Sequence, residues 1–297
     1  APPGAVAILV LALVMTATAQ VKEIWRSEED IGQPFFDMGV FVRLTQSPDS
    51  GRFDVVVEIP YDLLQFVRRD TTFAAEVELS FIVVDSDGSQ RLRRVQTLQR
   101  VVDSYAKTNS RHDYLKGTLS AVLPCGDYTV RVVMVDRESR RRHMASRDLT
   151  LEPPDPGAGV ILSDLVWMLS SELDAATGIP VNPTLNSVLP DKSTKLYCLF
   201  DLFTSRSGEP CRLELTIFDR RGEVRSSEGR EIIPAKELTT HIMPIPLESL
   251  TFGRYKVTLA AASAGGTASR SADLRVRYFG LPGVIQDIDL AVKQLKY

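Results

Sequence analysis

Two stretches decide the fold: Leu123-Pro124-Cys125-Gly126-Asp127-Tyr128-Thr129-Val130-Arg131-Val132, and Leu250-Thr251-Phe252-Gly253-Arg254-Tyr255-Lys256-Val257-Thr258-Leu259. They share the pattern L-x-x-G-x-Y-x-V-x-(V/L). In immunoglobulin-like sandwiches a Tyr at this place, near the start of strand F, bonds back to the backbone at the E–F corner. It stands two residues before the position that holds Cys in antibody domains. Here those positions are Val130 and Val257, so apolar packing replaces an inter-sheet disulfide. Gly126 and Gly253 are expected to supply a corner conformation that a Cβ resists. Tyr128 and Tyr255 are therefore read as structural.

Upstream the match continues. Leu79-x-Phe81-x-Val83-x-Asp85-x-x-Gly88 aligns with Leu213-x-Leu215-x-Ile217-x-Asp219-x-x-Gly222. Two matched blocks in one order argue for two copies of one fold. Between and around them, alternation of apolar and polar residues dominates, as in Phe53–Ile59, Glu76–Val84, Tyr128–Val135, Lys195–Phe203, Arg212–Phe218, Tyr255–Leu259 and Ala272–Tyr278. Only Leu162–Ala175 and the C-terminal tail read as helical. The expected fold is all-β: tandem immunoglobulin-like antiparallel sandwiches of roughly seven strands each. The Pro-rich stretch Glu152–Gly157 cannot sit in a central strand and divides the chain. The expected domains are residues 20–152 and 158–278.

The ends carry different signals. Ala5–Met15 is an unbroken apolar run followed by Thr16-Ala17-Thr18-Ala19. Eleven residues are too few for a membrane helix, which needs about 20. The run and its small-x-small exit fit a secretory signal peptide over residues 1–19, cleaved after Ala19. The start, with no Met or basic n-region, looks clipped. In the tail, residues 279–297, Ile285, Ile288, Val292 and Leu295 share one helical face, with Asp287 and Asp289 early and Lys293 and Lys296 late. That helix either folds back or leads into a further domain.

Composition narrows the function classes. The chain has 297 residues, 44% hydrophobic and 25% charged, which is ordinary for globular domains. A net charge of -3 gives no global case for nucleic acid as a partner. Three cysteines and three histidines leave little for a zinc site or a disulfide scaffold. No Walker loop, G-x-S-x-G, G-x-G-x-x-G or H-E-x-x-H occurs, and no catalytic, metal or cofactor residues are assigned. Asp85-Ser86-Asp87-Gly88 begins like a calcium loop but lacks its later ligands and reads as a hairpin turn. Cys198 and Cys211 flank an expected hairpin out of register with each other, which argues against a bridge and for free thiols. A carbohydrate-binding module calls for an aromatic platform, and the 7% aromatic content offers no cluster.

Two arginine groups stand out. One is Arg91, Arg93, Arg94 and Arg100; the other is Arg137, Arg140, Arg141, Arg142 and Arg147 at the F–G turn. The second group is the candidate patch for an anionic partner, weighed against a solvated hairpin tip.

Four stretches resemble one bacterial family. They are Val57-Glu58-Ile59-Pro60-Tyr61 with Leu64-Gln65-Phe66 and Phe73–Val77; Leu162–Leu165; Ile179–Pro183 with Leu196–Phe203; and Asp287-x-Asp289-Leu290-Ala291-x-x-Gln294-Leu295-x-Tyr297. Their order and spacing resemble the β-sandwich region that precedes the Gly-Trp-x-Thr-Asp domain in GWxTD-domain proteins. The motif itself is not in this chain. The resemblance implies an exported bacterial protein of the periplasm, cell envelope or medium, with a protein partner there. It implies no enzymatic activity, and contact with the membrane only through the signal peptide before cleavage. The alternative is an accessory region of a larger protein, enzymatic or not, that continues past Tyr297.

Overall fold

A computed structural model describes residues 36–278, apart from residues 156, 176, 187 and 190–193. The expected signal peptide and C-terminal helix lie outside the described residues.

In the first half the strands are β1 (Asp37–Arg43), β2 (Ser50–Pro60), β3 (Val67–Arg69), β4 (Thr72–Asp85), β5 (Gln90–Val102), β6 (Tyr114–Pro124), β7 (Gly126–Asp136) and β8 (Arg142–Leu151). One sheet has the order β1-β2-β6; the other runs β5-β4-β7-β8, with β3 also on β4. The second half has β9 (Val160–Leu162), β10 (Val166–Met168), β11 (Val188–Leu189), β12 (Leu196–Thr204), β13 (Cys211–Phe218), β14 (Val224–Ile232), β15 (Leu238–Ile245), β16 (Gly253–Ser263) and β17 (Gly266–Tyr278). Its sheets are β10-β12-β15, with β9 on β12, and β14-β13-β16-β17 closed by a parallel β11. Apart from β3 and β11, the two orders correspond, with β9 and β10 together in the place of β1. The fold is a tandem of immunoglobulin-like sandwiches.

Alternation builds each core. Val77, Leu79, Phe81 and Val83 of β4 face Phe53, Val55, Val57 and Ile59 of β2 in one core. Leu213, Leu215 and Ile217 of β13 face Cys198, Phe200 and Leu202 of β12 in the other.

The corner tyrosines do as expected. Tyr128 donates its hydroxyl to the Pro124 carbonyl at 2.8 Å, and Tyr255 donates to the Thr251 carbonyl at the same distance. The glycines differ. Gly126 has φ +154°, but Gly253 has no positive φ, and a Cβ there would meet the Tyr255 ring at an ordinary 3.6 Å. Gly253 is thus not required by the corner.

The matched turns repeat in detail. The Asp85 carboxylate accepts from the amides of Asp87 and Ser89 and from Arg91, while Gly88 takes φ +80°. The Asp219 carboxylate accepts from the amides of Arg221 and Glu223 and from Arg225, while Gly222 takes φ +79°. Each turn follows a register shift, after Val83 and after Ile217. This is hairpin chemistry, with the positive-φ position given to Gly.

Two expectations fail. Leu162–Ala175 is not helical: β9 ends in it, β10 crosses it, and Met168 and Leu173 make isolated bridges to Pro183 and Pro180. Val166, Trp167 and Met168 are buried on both faces of a strand, which removes the period that separates strand from helix. Nor do the strands of Cys198 and Cys211 form a hairpin. β12 pairs with β15 while β13 pairs with β14 and β16, so the chain crosses between sheets after Thr204. Both thiols are free and buried, and Cys125 is free and half-buried.

Candidate interaction surfaces

The β1-β2-β6 sheet and the β10-β12-β15 sheet pack back to back. Each of their central strands is buried on both faces. On β2, Val55 and Val57 enter the first core, while Asp54, Val56 and Glu58 face the second sandwich. On β12, Leu199 and Asp201 face the first. Phe41, Val56, Val166, Met168, Leu185 and Leu199 form a third apolar cluster, shared by both sandwiches. Gly39 lets it close: a Cβ there would lie 2.6 Å from Leu185 Cδ2.

At one end of this seam sits Arg43, only 1% exposed. Its guanidinium donates to Asp201 from Nε at 2.7 Å and from Nη2 at 2.6 Å, and to Asp54 from Nη1 at 3.1 Å. The carboxylates are completed by others. Asp54 accepts from Ser120 Oγ and Arg52; Asp201 accepts from Thr240 Oγ1 and the Leu44 amide. Burial pushes the Asp201 carboxyl up, but the hydrogen bonds and charge of Arg43 outweigh it and hold it below the usual carboxylate range. Burial likewise works against the Arg43 charge, and Asp201 and Asp54 more than restore it. Asp164 adds a backbone clasp: its amide donates to the Val42 carbonyl, and its carboxylate accepts from the Val42 amide at 2.8 Å.

A second polar knot closes the other end. Glu58, fully buried, lies 3.2 Å from Lys116 Nζ. Lys116 also donates to Asn182 Oδ1 and the Pro183 carbonyl. Asn186 donates its side-chain amide to Asp37 and Glu58. Burial lowers the Lys116 ammonium pKa, against the pull of Glu58. Burial, with Glu58 and Asp37 nearby, pushes the Tyr114 phenol up to about 12.

Beside the linker the sandwiches part. A cleft of about 1540 Å³ opens there, lined by β1, β8, β9 and β17. Val42, Leu151 and Ile161 give it apolar walls; Arg147, Asp148 and Arg270 stand on its rim. Among the described residues no group of three or more His, Cys, Asp or Glu is placed to hold a metal, and no helix is long and apolar enough to cross a membrane.

The candidate arginines do not form one patch. Arg137, Arg140 and Arg141 belong to the β7–β8 turn, whose amides at 138 and 139 are held by the Asp136 carboxylate. Arg137 is bound by Glu76 at 3.2 Å and Glu78 at 2.9 Å. Arg142 pairs across to Val135 on the outer sheet face. Arg147 has the parity of the core residues Ala145 and Leu149, so it points to the opposite side of β8, toward the cleft. Of the other group, Arg91 binds Asp85, and Arg100 lies over the Tyr61 ring at 5.6 Å. The long edge strand β5 carries all four residues of that group, a usual protection of an edge. Reading along the chain missed Arg131, which the register sets beside Ile82 and Ser146 on the same outer face as Arg142. It also missed Arg43, whose main partner is 158 residues away.

No family model and no curated protein matches the chain. Among solved structures it is similar to dimeric latent PorU from Porphyromonas gingivalis, at 14% identity and TM-score 0.34, over 82% of this chain and 20% of that one. It is similar also to a DUF4785 family protein from Legionella pneumophila, at 10% identity and TM-score 0.24, over 82% of this chain and 57% of that one. A β-glucuronidase from Bacteroides uniformis matches 52% of this chain and 16% of its own, at 12% identity and TM-score 0.29. The chain thus spans about a fifth of PorU.

Proposed function

We propose that this chain is an exported, non-enzymatic module of the bacterial cell envelope, a two-sandwich scaffold that holds a protein partner. The observation that carries the reading is the seam. A buried arginine takes one carboxylate from each sandwich, and a shared apolar cluster lies beside it. Such a joint ties the two modules together and sets the spacing of their outer faces. Support for export comes from Ala5–Met15 and its Ala17-x-Ala19 exit. The resemblance to the sandwich region of GWxTD-domain proteins supports the envelope.

The test is to express the sequence behind a restored start in a bacterium, fractionate the cells, and sequence the amino terminus of the product. A chain beginning at Gln20 in the periplasm, envelope or medium is the expected result. An uncleaved chain in the cytoplasm overturns export. Turnover of chromogenic ester, glycoside or phosphoester substrates by the purified protein, lost with its fold, overturns the non-enzymatic part.

A further inference from the structure

On the outer face of the β5-β4-β7-β8 sheet, three of the four residues in the middle row are apolar. The register sets Val95, Ser80, Val133 and Met144 side by side on four adjacent strands. The next row is Arg93, Ile82, Arg131 and Ser146; the row on the other side is Thr97, Glu78, Val135 and Arg142. Val95 and Met144, on the two outer strands, are 50% and 56% exposed, although they stand on a regular sheet rather than at a loop tip, and Val133 between them is 7% exposed.

The second sandwich supplies an internal control. The same three rows there read Gly229-Glu214-Ala260-Ser269, Ser227-Thr216-Thr258-Ser271 and Glu231-Arg212-Ala262-Thr267. This fold therefore takes a small and polar outer face without difficulty. The first sandwich departs from it at corresponding positions, placing Val, Ile and Met where the second has Gly, Thr and Ser.

The charges of the face are lopsided as well. Glu78 and the nearby Glu76 are both engaged by Arg137. Among the described residues no carboxylate pairs with Arg93, Arg131 or Arg142. A chain of net charge -3 thus carries a basic ring around an apolar centre. An apolar centre with a polar rim, enriched in Met and Arg, is the anatomy of a protein interface. Basic rims also steer acidic partners.

We propose that this face of the first sandwich docks a partner protein through an apolar patch ringed by carboxylates. The proposal rests on the scaffold reading and gives its partner a chemistry.

The test places p-benzoylphenylalanine at Met144, and at Ser269 as the equivalent control, in the full chain in cells. Light should give a discrete protein adduct at 144 and none at 269. The pair Arg93→Glu and Arg142→Glu should lower the adduct roughly tenfold or more, and Arg93→Lys with Arg142→Lys should restore it. An unchanged thermal transition shows that each variant still folds. Equal adducts at both positions, no adduct, or an adduct indifferent to charge reversal overturns the proposal. So does binding to phosphatidylcholine vesicles that appears only when phosphatidylglycerol is added and is lost on charge reversal; the face then belongs to a membrane. A cleaved, exported chain without the adduct leaves the scaffold reading standing and removes this surface. A chain retained in the cytoplasm overturns the export part of that reading instead.

Discussion

Truncating Arg43 would leave Asp54 and Asp201 as neighbouring charges under the seam, each only a few per cent exposed. Breaking a buried pair in this way costs about 3–5 kcal/mol. Arg43→Ala should therefore lower the urea midpoint sharply. Arg43→Lys should recover little of it, because an ammonium cannot hold two carboxylates in a fork. The same site sets an acid limit. The Asp201 pKa is depressed in the folded chain, so its contribution is full above the unfolded Asp value of about 3.9 and fades as pH falls through the folded value. Unfolding monitored from pH 6 downward should show a stability loss setting in near pH 4, and Asp201→Asn should flatten that slope. Tyr128 and Tyr255 offer a gentler comparison. Tyr128→Phe removes one hydroxyl bond to a carbonyl four residues back, worth about 1 kcal/mol by denaturant titration, and Tyr255→Phe should cost more, because the Tyr255 hydroxyl also accepts from the Thr251 amide at 3.0 Å. The tyrosines were legible in the sequence because their partners are local. Arg43 was not, because its partner is far along the chain and an arginine beside a turn reads as solvated.

Strands and turns show where period fails as a guide. β4 and β13 were readable, since one face is core and the other is open to solvent. β2 and β12 are strands, as the alternation over Phe53–Ile59 and Lys195–Phe203 predicts, but both faces of each are buried, and their outward positions hold Asp54, Glu58 and Asp201 among aliphatic residues. Acidic residues in alternation announce a wet face, yet here they announce the second sandwich. Leu162–Ala175 fails for the same reason in a more apolar form. Just past the linker, Gly159 makes the tightest backbone approach of the described glycines. A Cβ on Gly159 would fall within the carbonyl oxygen of Gly265, on the β16–β17 turn. Neither partner is a flexible side chain, so Gly159→Ala must push β9 off its place beside β12. A loss of about 2–3 kcal/mol in unfolding free energy is expected. Gly208→Ala, with nothing near its Cβ and only φ +84° to pay for, should lose about 1 kcal/mol.

As a whole, the molecule is two copies of one plan joined along faces that single domains leave in water. The plan was visible in the sequence; the joint was not, because no local pattern says which polar side chains will meet. If the seam holds the halves, their covalent link is dispensable. A protease site inserted at Asp155 and cut should leave both pieces eluting together in gel filtration, and adding Leu199→Asp, which puts a charge into the shared cluster, should separate them.

The seam has a further consequence, in time rather than in space. The chain is made from its amino terminus, so Arg43 and the β1-β2-β6 sheet exist well before Asp201 does, and contacts of such long range close late. Until β12 arrives, the first sandwich carries Phe41 and Val56 in water, beside an arginine short of its main acceptor. That half-made molecule is a sticky intermediate, whose lifetime is set by how fast the second half follows. Slowing synthesis after residue 155 should raise the fraction lost to aggregation, and Phe41→Ser should relieve the loss at the expense of the finished seam.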